Sequence, residues 1–386
     1  MRWICLVFLL NVFGTYSLAL DNYKFRLLDV SEGLSDDQIR SLSMVPDGRM
    51  AIRTASILNI YNGSTFRHYY YDKVRKYEWN YSRPPKEYYD NEGRMWLKEL
   101  HYLLLLDLST NEFEYDIPGV LKTMGIHEKL ANMFIDNDKN YWFVTESGHF
   151  YLYDIKKKIL CPIGSERENR VRHYGVPVEL AQYKNQCWIV YSSGLIRCWD
   201  YSAGEFISEE SRFVGLVNGF ADRIYLKPDI HGNLWFMYNN GVFYYNRMSR
   251  LWKTVVQIND VSNFFTCMDI DRKGDVWVGT SKSGLRLIRH QTFNVEKMDQ
   301  LELTDGGSLD NDIYSVFVDE DNGLWVGTLF QGLCYYHPAM HKFNSGHVEP
   351  GVSEISNEST RSMVEDPDGN VLIGNKYGVY FYSCQI

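Results

Sequence analysis

Short stretches of alternating apolar and polar residues, separated by turns rich in Gly, Asn and Asp, run through most of this sequence. The segment that begins at Phe264 shows the pattern clearly. FFTCMDID alternates as a first strand, residues 272–274 turn the chain, and DVWVGT, GLRLIRH and FNVEKM follow as three more strands. Strands of about six residues joined by such turns are typical of antiparallel hairpins. The pattern therefore predicts four-stranded antiparallel units.

This unit recurs eight times, at intervals of 42 to 48 residues. Its anchors are Trp96, Trp142, Trp188, Trp235, Trp277 and Trp325, with weaker copies at Ala51 and Leu372. An Asp stands six residues before the anchor in six copies, and Val45 and Gln182 occupy that place in the other two. We expect the Asp to accept hydrogen bonds from turn amides and the Trp to fill the space between neighbouring sheets. The repeated Asp is thus predicted to be structural and not catalytic.

Four strands per repeat at this period predict an all-β fold, a β-propeller of four-stranded blades. YKFRLLDV, before the first anchor, looks like a fourth strand without its first three, and GVYFY (378–382) is a third strand without a fourth. We therefore expect the N-terminal strand to complete the last blade. The number of repeats permits two arrangements. One is a seven-bladed ring whose last blade is the copy that contains Trp325, with residues 340–386 as the start of a further blade. The other is one eight-bladed ring.

The N-terminus carries a candidate export signal. Met1 and Arg2 precede an apolar run over residues 3–13, and small residues follow it. This order predicts a signal peptide over residues 1–19. An apolar run of about 11 residues is shorter than the roughly 20 that a membrane helix needs. We expect the propeller to occupy residues 20–339, and no later segment is apolar enough to span a membrane.

Composition limits the possible partners and cofactors. The formal net charge is −9 and no run of Lys or Arg stands out, which does not favour nucleic acid binding. Aromatic residues make up 15% of the chain, which suits both strands and binding surfaces. The cysteines form no CxxC pair, so neither a metal site nor another cofactor is predicted. Cys187 and Cys198 would lie opposite each other if Ser192 and Ser193 form a hairpin turn; a disulfide is then possible, although two buried thiols are favoured.

Three phrases carry a resemblance to a known family. DVSEGLSDDQIRSL (29–42), DRKGDVWVGTSKSGL (271–285) and DEDNGLWVGTLFQGL (319–333) resemble the two-component-regulator propeller repeats of hybrid two-component sensors from gut Bacteroidetes. The resemblance covers essentially the whole chain after the signal peptide. It implies two seven-bladed propellers, a Tyr-rich β-sandwich, a membrane helix, a histidine kinase, a receiver and a DNA-binding module. It also implies sensing of oligosaccharides in the periplasm.

The resemblance favours seven blades, with residues 340–386 as the opening of a second propeller. The sequence stops after the eighth repeat, so we expect a truncated or split sensor. Such a chain is expected to bind a ligand without catalysis and to phosphorylate nothing. An oligosaccharide is the expected ligand, and a second propeller or a second copy of the chain is a further candidate partner.

Ligand-binding candidates follow from the propeller geometry, in which the channel entrance is lined by two sets of loops. The loops between second and third strands supply Arg53, Lys98, Tyr191 and Tyr238. The loops that lead into first strands supply Tyr71, Trp79, Tyr81, Arg83, Arg172 and His173. Segment 66–83 is the strongest candidate because it combines aromatic rings, which suit the apolar face of a sugar, with charged groups for the hydroxyls. The alternative is an edge strand followed by a solvated loop.

Two other functions stay open. A propeller can present a face to other proteins as a scaffold, and the additional blade would favour this through its unpaired strand edge. A propeller lyase or glycosidase is the third hypothesis, and a glycosidase needs two carboxylates about 5–9 Å apart. His173 with Glu166 or Glu168 is the one pairing that the sequence offers for such chemistry, and no motif supports it.

Overall fold

The described repeats form sheets of mainly antiparallel strands in the computed structural model. The structure describes residues 23–342 except 56, 72, 80–84, 165–173, 261 and 310, and residues 361–382 except 368, 369 and 377. The predicted signal peptide lies outside the described residues. The chain divides into two compact units, Met1–His337 and Pro338–Ile386.

The described part of the larger unit contains seven sheets, which we number as blades 1 to 7. Strand β1 (Lys24–Leu28) comes first in the chain. Blade 1 contains β2 (Ser41–Met44), β3 (Met50–Arg53), β4 (Ile57–Tyr61) and β5 (Phe66–Tyr70). Blade 2 contains β6 (Tyr77–Glu78), β7 (Lys86–Tyr89), β8 (Arg94–Lys98), β9 (Tyr102–Asp107) and β10 (Glu112–Phe113), and helix α1 (Ile117–Thr123) follows it. Blade 3 contains β11 (Leu130–Ile135), β12 (Tyr141–Thr145), β13 (Phe150–Asp154) and β14 (Ile159–Pro162).

The second half of this unit continues the pattern. Blade 4 contains β15 (Pro177–Tyr183), β16 (Gln186–Tyr191), β17 (Ile196–Asp200) and β18 (Glu205–Glu210). Blade 5 contains β19 (Tyr225–Pro228), β20 (Leu234–Tyr238), β21 (Gly241–Asn246) and β22 (Leu251–Gln257). Blade 6 contains β23 (Phe265–Ile270), β24 (Val276–Thr280), β25 (Leu285–Ile288) and β26 (Val295–Met298). Blade 7 contains β27 (Leu301–Leu303), β28 (Ser308–Leu309), β29 (Ile313–Val318), β30 (Leu324–Thr328), β31 (Leu333–Tyr336) and the N-terminal β1.

The N-terminal strand joins the two ends of this unit. β1 pairs antiparallel with β31, with Leu28 opposite Leu333, and parallel with β27, with Phe25 opposite Leu303. The turn before β31 needs glycine at Gly332, where φ is +83° and a Cβ would lie 2.9 Å from the carbonyl oxygen of Leu28. This pairing places β1 as the fourth strand of blade 7 and is consistent with a seven-bladed propeller. The eight-bladed alternative would instead require β1 beside the last strand of the chain.

In blades 2, 3 and 7 the repeated Asp and Trp form one hydrogen-bonded unit, which confirms their predicted structural role there. The indole Nε1 of Trp96 donates to Asp90 Oδ2 at 3.0 Å, and Trp142 donates to Asp136 at the same distance. The other oxygen of Asp90 accepts the backbone amides two and four residues later, both at 2.9 Å. One carboxylate therefore holds the turn between two strands and fixes the indole that packs beside it.

The same carboxylates also bind the neighbouring blade. The Tyr141 hydroxyl of blade 3 donates to Asp90 of blade 2 at 3.0 Å, and the Tyr201 hydroxyl of blade 4 donates to Asp136 of blade 3 at 2.6 Å. Burial raises the pKa of both tyrosines, and the adjacent carboxylates raise it further. Both hydroxyls consequently remain protonated donors, and the Asp links consecutive sheets as well as its own turn.

The register of blade 4 corrects one expectation. Cys187 lies opposite Trp199, and Cys198 lies opposite Trp188, so the two cysteines are one position out of register. Successive residues of a strand point to opposite faces, and the two thiols accordingly belong to different hydrophobic clusters. Both are free and buried. The premise of a cross-strand disulfide was therefore wrong, and the favoured alternative of two buried thiols is confirmed.

The smaller unit has one antiparallel sheet in its described part. The sheet contains β32 (Ser362–Glu365), β33 (Val371–Asn375) and β34 (Gly378–Tyr382). Asp366 accepts the backbone amide of Asn370 at 2.9 Å, as the repeated Asp does in the larger unit. The turn chemistry of the repeat is thus preserved in this unit.

Replacing Asp136 by Ala should destabilise the protein by about 3 kcal/mol, because it leaves the Trp142 indole and the Tyr201 hydroxyl without an acceptor. Chemical denaturation followed by fluorescence measures this change. Asp321→Ala is the matched control, since its exposed side chain lies in the equivalent turn region of blade 7, and its effect should stay within about 0.5 kcal/mol. Equal effects of the two substitutions would contradict the structural role of the repeated Asp.

Candidate functional site

The first strands of the blades line the central channel of the propeller, where the structure has two cavities. One cavity of about 190 Å³ lies where the chain enters these strands, and Arg40, Pro85 and Arg223 line it. A second cavity of about 420 Å³ lies toward the opposite ends of the strands. The two cavities share the lining residues Lys86, Glu87, Leu226 and Lys227. We call the first cavity the channel mouth.

Ion pairs between blades cross the inner wall of the channel. Lys86 of blade 2 donates to Glu179 of blade 4 at 2.7 Å, and the Glu179 carboxylate is buried. Lys227 of blade 5 contacts Asp269 of blade 6 at 2.5 Å, and Asp269 also accepts the backbone amide of Val318 in blade 7 at 2.8 Å. Buried charges are tolerated when they are paired in this way, and removing one partner is costly. These pairs therefore hold the inner strands together.

Arg53, a predicted ligand-binding residue, is buried and belongs to this network. Its Nε lies 3.2 Å from Glu87 and its Nη1 lies 3.2 Å from Glu99. Nη1 also donates to the carbonyl oxygen of Lys98 at 3.1 Å. Burial alone would lower the pKa of Arg53, but the two carboxylates outweigh it and raise the pKa above its ordinary value. The geometry supports a role as an internal cation that joins blades 1 and 2.

Lys98, a second predicted residue, is fully buried between blades 2 and 3. Its Nζ lies 4.4 Å from the centre of the Phe134 ring and donates to the carbonyl oxygen of Met133 at 3.4 Å. Burial lowers the pKa of Lys98 to about 7, while Glu179 acts to raise it and Lys86 to lower it. The contacts with Phe134 and Met133 hold the Lys98 side chain in the interior, away from the channel mouth.

Four predicted aromatic residues are also buried. The Trp79 indole donates to the carbonyl oxygen of Glu99 at 3.0 Å, and Tyr238 stacks on Phe243 with ring centres 5.8 Å apart. Tyr191 contacts Tyr174, and Tyr71 contacts Phe113, at ring-centre distances of 5.9 and 6.4 Å. All four have relative exposures of 5% or less. They contribute to packing around the channel in this structure.

The remaining predicted site residues, Tyr81, Arg83, Arg172 and His173, lie outside the described residues. The acids Glu166 and Glu168, considered with His173, lie outside them as well. Among the residues that the structure does describe, no three His, Cys, Asp or Glu side chains come close enough to hold a metal ion. The six described candidates are not gathered around one open pocket.

The structure reveals a groove that the sequence indicated only in part. Arg75, Lys76, Tyr77 and Glu78 line one side and Tyr115, Ile117 and Pro118 line the other, around a cavity of about 190 Å³. The first four belong to segment 66–83, whereas nothing in the sequence singled out Tyr115. We call this feature the segment 66–83 groove.

Local structure explains the positions of the groove residues. Lys76 Nζ lies 4.3 Å from the centre of the Tyr102 ring, and the Tyr77 hydroxyl accepts the backbone amide of Leu130 at 2.9 Å. On the other side, Asp116 caps helix α1 by accepting the backbone amide of Gly119 at 3.0 Å. Tyr115 comes directly before this cap, and the residue is 59% exposed. The groove thus presents an accessible aromatic ring next to two cations.

Comparison with known proteins identifies one repeat directly. Residues 307–330 match the family model described as two component regulator propeller. The resemblance predicted from the phrase at 319–333 is confirmed at this repeat. A comparison with curated proteins finds no significant match.

Solved structures share the fold at low sequence identity. The extracellular domain of a hybrid two-component system from B. thetaiotaomicron is 17% identical with a TM-score of 0.57, over 94% of this chain and 48% of that one. A second such domain from B. thetaiotaomicron is 15% identical with a TM-score of 0.56, over 92% and 45%. This chain therefore spans about half the length of those domains.

A likeness at such identities shows a shared β-propeller fold and no more. Virginiamycin B lyase from Staphylococcus aureus illustrates the point, since it is 10% identical with a TM-score of 0.53, over 81% of this chain and 98% of the lyase. Among the described residues, no helix has the length and apolar character needed to cross a membrane.

The buried Lys98 predicts a pH-dependent stability. Between pH values of about 7 and 10.5 the unfolded chain binds a proton at this site that the folded chain does not, so the free energy of unfolding should rise with pH. Lys98→Met removes this contribution, and the stability of wild type relative to the variant should increase through that window. Denaturant unfolding at a series of pH values measures the difference.

Lys297→Met, at an exposed position of β26, is the matched control for the loss of one lysine side chain from a strand. Parallel pH profiles for wild type and Lys98→Met would contradict the assignment of a lowered pKa to Lys98.

Proposed function

We propose that this chain is the propeller of an exported, non-catalytic sensor that binds oligosaccharides in the periplasm. Two observations support the proposal: the repeat at 307–330 and the fold shared with extracellular domains of hybrid two-component systems. The signal peptide that the sequence predicts over residues 1–19 agrees with export. The observation that carries most weight for the ligand is the segment 66–83 groove. Its exposed aromatic ring lies beside charged groups, which is the combination that sugar recognition requires.

The chemistry of the groove suits a sugar ring. Tyr115 is largely exposed, so its ring can stack on the apolar C–H side of a pyranose while its hydroxyl remains hydrated. Arg75 and Lys76 lie across the groove and provide donors for ring hydroxyls. The cavity of about 190 Å³ is smaller than the roughly 300–1,000 Å³ of typical drug-sized sites, which favours one sugar unit held inside a longer, partly exposed chain.

Binding is tested by titrating the protein with a panel of neutral oligosaccharides in a calorimeter. At least one should bind, and Tyr115→Ala should weaken that binding about tenfold through loss of the stacking surface, or ~1.4 kcal/mol. Tyr70→Ala is the matched control, because Tyr70 is similarly exposed, at 62%, but does not line the groove. Chromatography of the ligand after long incubation should recover it intact.

The absence of binding across the panel, or equal loss of affinity in both tyrosine variants, would contradict the proposed site. Steady conversion of the oligosaccharide into shorter products would contradict the non-catalytic assignment and would favour the lyase or glycosidase hypothesis.

A further inference from the structure

The channel mouth contains two arginines that the internal ion pairs do not use. Lys86 and Lys227 are neutralised by Glu179 and Asp269. In contrast, no carboxylate of the described residues lies within ion-pair distance of Arg40 or Arg223, although both line the mouth. The mouth thus carries uncompensated positive charge in a protein whose formal net charge is −9.

Arg223 is held in a fixed orientation across the mouth. It lies just before β19 of blade 5, and its Nη1 donates to the carbonyl oxygens of Thr266 in blade 6 and Tyr314 in blade 7, at 3.3 and 3.4 Å. The guanidinium also stacks over the Tyr314 ring at 3.7 Å from its centre. The backbone amide of Arg223 donates to Asn239 Oδ1 at 2.8 Å. These contacts already restrict the Arg223 side chain in the free protein. Binding a ligand therefore costs less side-chain conformational entropy than it does for a mobile arginine.

The Nε and Nη2 edge of this guanidinium is available to hydrogen-bond a ligand. Nε and Nη2 of Arg223 donate to no group among the described residues, and the residue is partly exposed. The two atoms lie on one edge of the planar group, where their N–H bonds point the same way. A carboxylate can accept both in a bidentate pair, which is the strongest form of arginine recognition.

We propose that the channel mouth binds a carboxylate of a small ligand through the Nε and Nη2 edge of Arg223, with Arg40 providing a second positive charge. Glu87 and Glu179 also line the mouth, but Arg53 and Lys86 pair with them and limit their repulsion of an anion. The carboxylate can belong to a sugar acid or to a free organic acid. This site is separate from the segment 66–83 groove and does not depend on the proposed function.

Trigalacturonate, its methyl ester and sodium acetate distinguish these cases in calorimetric titrations of the full chain. Trigalacturonate should bind, and its methyl ester should bind about tenfold more weakly because the ester presents no anion. Acetate should compete at millimolar concentration if any carboxylate is sufficient, whereas its failure to compete would assign the site to the sugar acid. Both outcomes support a carboxylate site.

Arg223→Lys retains the positive charge but loses the pair of parallel N–H donors, and it should weaken trigalacturonate binding about tenfold. Arg40→Met, at an exposed position, should weaken it about threefold. Arg212→Lys is the matched control, since Arg212 also donates to a backbone carbonyl, that of Trp252, but lies outside the mouth. Arg212→Lys and Tyr115→Ala should both bind trigalacturonate like wild type.

The proposal is overturned if neither trigalacturonate nor acetate binds, or if the acid and its ester bind equally well. It is also overturned if folded Arg223→Lys and Arg40→Met both bind trigalacturonate with wild-type affinity. Arg223 would then only connect neighbouring blades. In each of these cases the segment 66–83 groove would still be supported as a separate site if a neutral oligosaccharide binds to wild type and not to Tyr115→Ala.

Discussion

The pairing of β1 with β31 is the contact on which the rest of the larger unit depends. Each blade is a local hairpin array, but the first and last blades are far apart in sequence and need a strand from one chain end to join them. β1 supplies this strand: residues 26–28 pair with β31, and Lys24 and Phe25 pair with β27 on the other edge. Phe25 and Leu28 then bury their side chains beneath the joined strands. The channel exists because this contact closes the sheets around it.

Buried polar groups in this fold connect one blade to the next. The carboxylate of Asp136 holds its own turn, its own tryptophan and the Tyr201 hydroxyl of the following blade. Around the channel, Lys86 and Glu179 make a longer connection that skips a blade. Because such groups are costly to bury alone, they specify which sheets lie side by side. The two proposed binding sites use groups outside these pairs, Arg223 and the exposed Tyr115.

The architecture could be predicted from the sequence because the same pattern of strands and turns recurs in each copy of the repeat. The strand spacing, the turn role of the repeated Asp and the N-terminal closing strand all follow from one aligned pattern. The site was harder, because a loop position does not determine whether a side chain faces solvent or the interior. Arg53 and Lys98 end their strands as expected, yet both turn inward. A hairpin turn one residue longer than assumed likewise moved Cys187 out of register with Cys198.

Hydrogen exchange at the backbone amides of β1 tests the central contact most directly. If β1 lies between β27 and β31, the amides of residues 24–28 should exchange as slowly as those of β30 in the same sheet, and only through global unfolding. The outer strand β18, whose side chains are mostly exposed, provides an internal reference for faster local opening. Exchange of residues 24–28 at the rate of a free chain terminus, while β30 stays protected, would contradict the account.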